Sequence, residues 1–270
     1  MALTRVLIAV KTYPSISTTY DELVCTAGFL EDGSWIRIYP IQFRDLDYSQ
    51  QYKRYDWIEI DLVKNTKDFR PESYRPRTID VNATTVGHIG TEKDWQERRE
   101  IALKNVYTSL DAMIADAKDK SKNMSLAVFK PTKITGFKIK AVDREWAKNK
   151  RDQMQQMNVF IQRKSSKELV RKLPYKFSYV FEDENGREST LMIEDWELGA
   201  LFWKYEDEQE ACQKVQQKYF DDLAMTKDIH FFMGTTLANH HKSINPFIII
   251  GTFHPTYPKP PKVSPQLSLF

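Results

Sequence analysis

The alternation of apolar and polar residues predicts β structure in the first third of the chain. The β-branched run Thr4 to Lys11 predicts a strand, and Trp57 to Val63 alternates apolar with acidic residues, as a half-exposed strand does. Leu23 to Leu30 and Trp35 to Tyr39 flank Asp32-Gly33, a pair that favours a hairpin turn. Short strands separated by turns predict a small barrel or sandwich.

A helical period follows over residues 92 to 118, where Thr91 is placed to cap the first turn. Leu126 to Phe129 then has a strand pattern. In Ile134 to Val142 the apolar residues alternate with lysines, so this strand should have one apolar and one basic face. Residues 143 to 162 are predicted to form a helix.

The last third of the chain predicts a hairpin, two helices and two strands. Asn185-Gly186 is a strong hairpin signal between two strand patterns. The predicted elements are the hairpin strands Tyr175 to Phe181 and Ser189 to Ile193, the helices Glu194 to Tyr205 and Glu208 to Leu223, and the strands Ile229 to Thr235 and Phe247 to Phe253. Five prolines between Pro255 and Pro265 then predict an extended, disordered tail.

These elements indicate an α+β chain that is mainly β. The predicted division is a β-rich unit at 1–90, a helical connector at 91–122, a second β-rich unit with helical insertions at 123–255, and a flexible tail at 256–270. Apolar residues make up 41% of the 270 residues and charged residues 29%, so a packed core is expected. The longest apolar run, Pro246 to Phe253, is too short to cross a bilayer.

Cysteine usage and charge indicate a compartment and a class of partner. Cys25 and Cys212 are the only cysteines, which favours a reducing, cytoplasmic setting without a disulfide framework. Residues 120–176 hold 16 Lys or Arg against 4 Asp or Glu, a balance of +12. Residues 182–228 hold 14 acidic against 5 basic residues, a balance of −9. This asymmetry predicts one surface that faces a polyanion, unless the two blocks pair with each other.

Aromatic and cationic residues are interleaved from Trp35 to Arg44. Aromatic platforms beside cations bind single strands without reading their sequence. In the alternative, the aromatic residues are core and the arginines pair with nearby aspartates. The candidate nucleic-acid-binding residues are Trp35, Arg37, Tyr39, Arg44, Lys53 and Arg54, together with Lys138, Lys140, Lys148, Lys150 and Arg151 of the basic block.

The chain ends in QLSLF, which resembles the bacterial sliding-clamp-binding pentapeptide at all five positions. The predicted clamp-binding residues are Gln266, Leu267, Ser268, Leu269 and Phe270. The apolar side chains would anchor in a pocket of the clamp while the glutamine fixes the register. In the alternative, the tail folds back onto its own core.

Several longer segments resemble the dual OB-containing domain proteins of bacteria. They are LPYKFSYVFEDENGRESTLMIEDWELGALFWK (Leu173 to Lys204), HFFMGTT, PFIIIGTFHP, KTYP, VCTAG and WIRIYP. The resemblance implies two small β-barrels of the oligonucleotide/oligosaccharide-binding (OB) kind, which commonly bind single strands. It implies no catalytic or binding residues.

Signatures of an enzyme are weak. His240-His241 has no cysteine or carboxylate at ligand spacing, and there is neither a phosphate-binding glycine loop nor a nucleophile elbow. No metal and no cofactor are therefore predicted. A catalytic alternative would use the carboxylates Asp56, Glu59, Asp61, Glu194, Asp195 and Glu197.

The sequence predicts a cytoplasmic, nucleoid-associated, non-enzymatic protein that binds nucleic acid, single-stranded DNA in particular. Its partners would be that DNA and the bacterial sliding clamp, with no membrane, and its task DNA replication, DNA repair or phage defence. One alternative is a nuclease or nucleic-acid-modifying subunit, for example of an anti-phage system. A second alternative is an interaction module of a defence system that never contacts DNA.

Overall fold

The computed structural model describes residues 3–17, 21–78, 81–147 and 170–257. Over these ranges the protein is mainly β, as predicted, and its strands fall into two units. The first unit contains β1 (Thr4–Lys11), β2 (Ser15–Ser17), β3 (Asp21–Phe29), β4 (Trp35–Ile41), β5 (Asp56–Ile60), β6 (Leu62–Lys64), β7 (Ser73–Pro76) and β8 (Ala83–His88).

The strands of the first unit form one curled sheet. Its order is β6-β7-β4-β3-β1-β5-β8, with β2 paired to β3. Only Asp61 separates β5 from β6, although these strands pair at opposite ends of that order, on β1 and on β7. The sheet must therefore curl so that its ends approach each other. Within it, β4 and β7 run parallel.

The second unit has two sheets, which are joined to each other on both sides. Its strands are β9 (Val106–Tyr107), β10 (Leu126–Phe129), β11 (Lys133–Ala141), β12 (Tyr175–Glu182), β13 (Glu188–Met192), β14 (His230–Thr235) and β15 (Phe247–Phe253). The sheet orders are β15-β14-β10-β9 and β11-β12-β13. A parallel bridge from Ile193 to Ile249 joins the sheets on one side. Residues 130–132 join β10 to β11 on the other.

Helices connect the units and cover the second one. They are α1 (Glu92–Ala102), α2 (Leu110–Lys118), α3 (Trp196–Phe202) and α4 (Glu208–Gln216), followed by a π-helix at Gln217–Ala224. None of the helices in the described ranges is long and apolar enough to cross a membrane. Asp195 and Asp207 cap α3 and α4, each through its carboxylate and a backbone N–H of the first turn.

The single helix predicted over residues 92 to 118 is wrong, because β9 separates α1 from α2 and pairs in parallel with β10. The Thr91 side chain does not cap α1. The chain instead enters α1 through left-handed φ angles at Lys93, Asp94 and Trp95. Of the helix predicted at 143–162, residues 143–147 are not helical, and the remainder lies outside the described residues.

Each unit has a hydrophobic core of its own, and a third core joins the two units. Strand β1 is buried on both faces, because successive side chains alternate across a strand. Ile8 packs into the core of the first unit, whereas Leu7 packs into a shared core with Phe29 of β3 and with Phe232 and Phe253 of the second unit. The two units are therefore packed together as one body along this shared core.

Candidate nucleic-acid interface

Trp35 and Arg37 lie between the two units. The Trp35 ring packs 4.1 Å from the Phe29 ring and 5.5 Å from the Phe232 ring, centre to centre. Arg37 is 3% exposed, and its guanidinium donates to Ser125 Oγ at 2.6 Å and to the Ser125 carbonyl at 3.1 Å. These contacts correct the interpretation of both residues as a binding surface. Trp35 and Arg37 hold the units together.

The remaining candidates of the first unit divide between interior and surface. The Arg54 side chain is buried, and it donates to Glu197 Oε2 at 2.6 Å and to the Thr252 carbonyl, so it too is structural. Arg44 is partly exposed and ion-paired with Glu22 at 2.6 Å. Tyr39 and Lys53 are exposed at the surface.

The six carboxylates of the catalytic alternative do not assemble into one site. Asp56 accepts from the Lys53 N–H at 2.7 Å and contacts His88 Nδ1 at 2.7 Å. Asp61 pairs with Arg77 at 2.8 Å. Glu59 lies on β5, opposite Arg5 in the strand register. Burial raises the pKa of the Glu194 carboxyl.

Asp195 and Glu197 do come together, but around a cation that the protein itself supplies. Arg54 Nη1 lies 2.6 Å from Glu197 and 3.9 Å from Asp195. Burial raises the pKa of Asp195 above its usual range. Beside Glu197 lies a cleft of about 580 Å³, whose lining includes Lys218 and His254. Among the described residues, no group of three or more His, Cys, Asp or Glu is arranged to hold a metal ion.

The prediction of one apolar and one basic face on β11 is confirmed. Phe137 and Ile139 pack against the core of the second unit, while Lys138 and Lys140 are exposed. In the strand register Lys140 lies opposite Lys176 of β12, so lysines of two strands share this outer face. The candidates Lys148, Lys150 and Arg151, and the clamp-binding residues Gln266 to Phe270, lie outside the described residues.

The basic and acidic blocks are also partly paired with each other. Arg144 forms an ion pair with Glu208, and Lys130 forms one with Asp228. Neither pair involves the lysines of the β11–β12 face. Lys138, Lys140 and Lys176 of that face are exposed, whereas these two pairs neutralise other parts of the two blocks.

A pocket between the two units combines aromatic and guanidinium groups. Its volume is about 260 Å³, and its lining residues are Tyr13, Pro14, Arg44, Val170, Arg171, Trp196, Ala200 and Trp203. We refer to it as the aromatic pocket. Of these residues, the sequence pattern indicated Arg44 alone, although KTYP and the segment from Leu173 to Lys204 contain all three aromatic residues of the pocket.

The aromatic pocket is held in shape by a chain of contacts. Trp203 Nε1–H donates to the Tyr13 hydroxyl at 2.8 Å, and that hydroxyl donates to the Arg171 carbonyl at 2.7 Å. Burial raises the pKa of Tyr13 to about 12, so the hydroxyl remains a donor at neutral pH. The Arg171 guanidinium lies 5.4 Å from the centre of the Trp203 ring. Gly199 of α3 lies directly against Tyr13, where a Cβ atom would come within 2.1 Å of the ring.

The aromatic pocket adjoins the basic face. The Val142 N–H donates to the Pro174 carbonyl at 2.9 Å, just beyond the point where β11 and β12 stop pairing. Arg171 lies three residues before Pro174 in the chain. Lys140 and Lys176 lie opposite each other in β11 and β12, each two residues from this hydrogen bond. The lysine face therefore leads towards the arginine and the aromatic rings of the pocket.

Comparison with known families divides the chain at the same place as the strand sheets. Residues 2–104 match a domain of unknown function, DUF8758, and residues 106–270 match a second domain of unknown function, DUF8757. The second match covers more than half of the chain. The chain belongs to the DUF8757 family. Neither family description states an activity for this DUF8757 protein.

No curated protein matches the DUF8757 chain. Among solved structures, a murine DNA-binding protein bound to double-stranded DNA is similar at 11% sequence identity. The alignment covers 96% of this chain and 98% of the murine chain, with a TM-score of 0.33. At that score the likeness supports no conclusion about the fold or the function of this protein.

Proposed function

We propose that the protein binds single-stranded nucleic acid, DNA in particular, through two OB-like barrels. In the first unit the paired strands form a closed circuit. Its order is β1, β3, β4, β7, then β5–β6 as one bent strand, and back to β1. In the second unit it runs β10–β11, β12, β13, β15, β14, and back to β10. Both circuits have five strands, which supports the five-stranded barrel of the OB fold.

The observation that carries the proposal is the position of the aromatic pocket in this topology. Tyr13 and Pro14 follow the first strand of the first circuit, and Val170 and Arg171 lie between the first two strands of the second circuit. OB folds bind oligonucleotides with the loop between strands 1 and 2. Here the corresponding loops of both units line one pocket.

The chemistry of the pocket suits an unpaired base. Aromatic rings stack on bases of any identity, and nearby cations hold the phosphates. Arg171 has an exposed position at the pocket, and the lysines of the β11–β12 face continue from it. We expect these lysines to supply a salt-dependent attraction to the backbone, because binding releases counterions.

The clamp-binding tail belongs to the same proposal. Its support is the complete pentapeptide Gln266 to Phe270 and the proline-rich spacer before it. Tethering to a sliding clamp would raise the local concentration of a weak, sequence-independent binder at replicating or repairing DNA. The same recruitment would serve defence against foreign DNA.

The proposal is tested by fluorescence anisotropy with a labelled dT oligomer and with a duplex of the same length, each at 50 mM and 200 mM salt. We expect preferential binding of the single strand and a steep loss of affinity at the higher salt. Trp203→Ala should weaken single-strand binding about tenfold, since stacking contributes about 1–3 kcal/mol per base. Arg171→Glu should weaken it without disturbing the core.

Tyr48→Ala provides a matched control, because Tyr48 is 89% exposed and does not line the pocket. Its affinity should equal that of the wild-type protein. A wild-type protein that binds neither oligomer at 50 mM salt would contradict the proposed function.

A further inference from the structure

Two exposed rings from different units stack on each other at the protein surface. Phe69 is 48% exposed although it is aromatic, and its ring centre lies 4.9 Å from that of His241 at an interplanar angle of 17°. Ile244, in the same loop as His241, is 88% exposed. The stack of Phe69 on His241 leaves a flat aromatic face at the surface, on which a further ring can pack.

The loop that carries His241 is held in place by hydrogen bonds to the interior of the second unit. The buried His240 ring uses both nitrogens, with Nδ1 at 2.8 Å from Thr235 Oγ1 and Nε2 at 2.8 Å from the Ala117 carbonyl. Lys118 Nζ donates to the His240 carbonyl at 2.9 Å and to the Ser243 carbonyl. His241 is therefore presented by a loop that needs little ordering on binding.

The loop that carries Phe69 is also hydrogen-bonded to Thr235. Asp68 and Arg70 form a buried ion pair at 2.5 Å, and Arg70 also donates to the Thr235 carbonyl at 2.5 Å. The residues on either side of Phe69 thus point inward and leave its ring at the surface. Both loops converge on Thr235, which sets the spacing of the two rings. Preorganisation of this kind lowers the entropy lost on binding.

The charges around the stacked rings favour a polyanion. Lys67 and Lys242 are exposed beside Phe69 and His241 in sequence. Residues 236–246 contain no Asp or Glu. In residues 65–72, Asp68 is paired with Arg70, and Glu72 accepts from the Ser125 N–H and hydroxyl. Both carboxylates of these loops are therefore engaged inside the protein.

The topology places these loops at equivalent positions. Phe69 lies between β6 and β7, and His241 lies between β14 and β15, which in both circuits is the connection between the fourth and fifth strands. OB folds use this connection as well to contact oligonucleotides. We propose that Phe69 and His241 form a second base-stacking platform, separate from the aromatic pocket, for an unpaired base of a bound single strand. This inference rests on the proposed function.

The platform is tested with a dT oligomer that carries one 5-iodo-deoxyuridine. Ultraviolet cross-linking and mass spectrometry of the full-length protein should give an adduct at Phe69 or His241. Phe69→Ala should lower the affinity for dT by about five- to tenfold, as expected for one lost stack. Phe69→Trp should retain the affinity, because a larger ring preserves stacking. The melting temperature of each variant shows whether it remains folded.

Ile244→Ser separates stacking from general apolar contact. It should leave dT affinity unchanged, because it removes exposed apolar surface without touching either ring. If it weakens binding as much as Phe69→Ala does, the platform is overturned. Unchanged affinity in Phe69→Ala, while Arg171→Glu weakens binding, would also overturn the platform and leave the proposed function intact. Failure of the wild-type protein to bind dT would instead overturn the proposed function.

Discussion

The guanidinium of Arg37 donates to Ser125 Oγ at 2.6 Å and thereby joins two residues that are 88 positions apart in the two units. Glu72 completes this contact, because its carboxylate accepts from the Ser125 hydroxyl at 2.8 Å and from the Ser125 N–H at 2.9 Å. Arg37, which the sequence presents as a candidate phosphate ligand, therefore holds the two units together.

We predict that Arg37→Ala destabilises the protein by about 2–3 kcal/mol or more. The change removes the hydrogen bonds that a buried, charged donor makes to Ser125 Oγ and to the Ser125 carbonyl. Urea unfolding followed by circular dichroism measures the loss. Arg5→Ala is the control, because its ion pair with Glu31 is exposed and should contribute less than about 1 kcal/mol. If Arg37→Ala also costs less than about 1 kcal/mol, Arg37 does not hold the two units together.

Gly199→Ala should impair the aromatic pocket. The new methyl group would lie 2.1 Å from the Tyr13 ring, so the ring must move away from Trp203 and Arg171. We expect weaker dT binding together with a lower melting temperature. Gly87→Ala is a matched control, because its Cβ would come no closer than 3.8 Å to another residue. Equal dT affinity in the two variants would show that Tyr13 does not shape the binding site.

Acid should destabilise the fold partly through His230. Burial lowers the pKa of this histidine from 6.5 to about 4, so the folded protein keeps the ring neutral where the unfolded chain already binds a proton. Stability is therefore present above pH 6.5 and is lost as the pH falls towards 4. Between pH 6.5 and pH 5 the expected loss from this residue is up to about 2 kcal/mol.

His230→Asn tests this linkage, because the asparagine amide can replace the Nδ1 donor to the Asp228 carbonyl without titrating. The urea midpoints at pH 7 and pH 5 should differ less in this variant than in the wild-type protein. An identical pH dependence in His230→Asn would contradict the prediction.

We expect no cleavage of single- or double-stranded DNA or RNA with Mg²⁺ or Mn²⁺. Arg54 already neutralises Asp195 and Glu197, so a divalent cation would have to compete with a buried guanidinium. Gel assays with labelled substrates measure this directly. Metal-dependent cleavage that disappears in both Asp195→Asn and Glu197→Gln would favour the nuclease alternative instead.

The double substitution Leu269→Ala with Phe270→Ala should abolish binding to a purified bacterial sliding clamp. Burial of each such side chain contributes about 1.5–3 kcal/mol. A micromolar interaction amounts to about 8 kcal/mol in total. Surface plasmon resonance measures the interaction. Melting temperature and dT affinity should stay unchanged. A loss of stability above about 2 kcal/mol would show instead that the tail packs on the protein's own core.

The sequence by itself determined most strands and turns. Thr4–Lys11, Leu126–Phe129 and Phe247–Phe253 have the predicted limits, because alternation and β-branching act within a few residues. Gly33 and Gly186 have positive φ angles in the two predicted hairpins. Short strands such as β2 and β9 escaped prediction, since two or three residues carry too little pattern.

Tertiary structure alone decided which cations and rings are available to a ligand. Arg37 and Arg54 have the same local pattern as an exposed arginine, and only the packing of one unit on the other buries them. Trp203 donates to Tyr13 across 190 positions, a pairing that no local periodicity contains. The stack of Phe69 on His241 likewise exists only because the two units are packed together, since each unit supplies one ring.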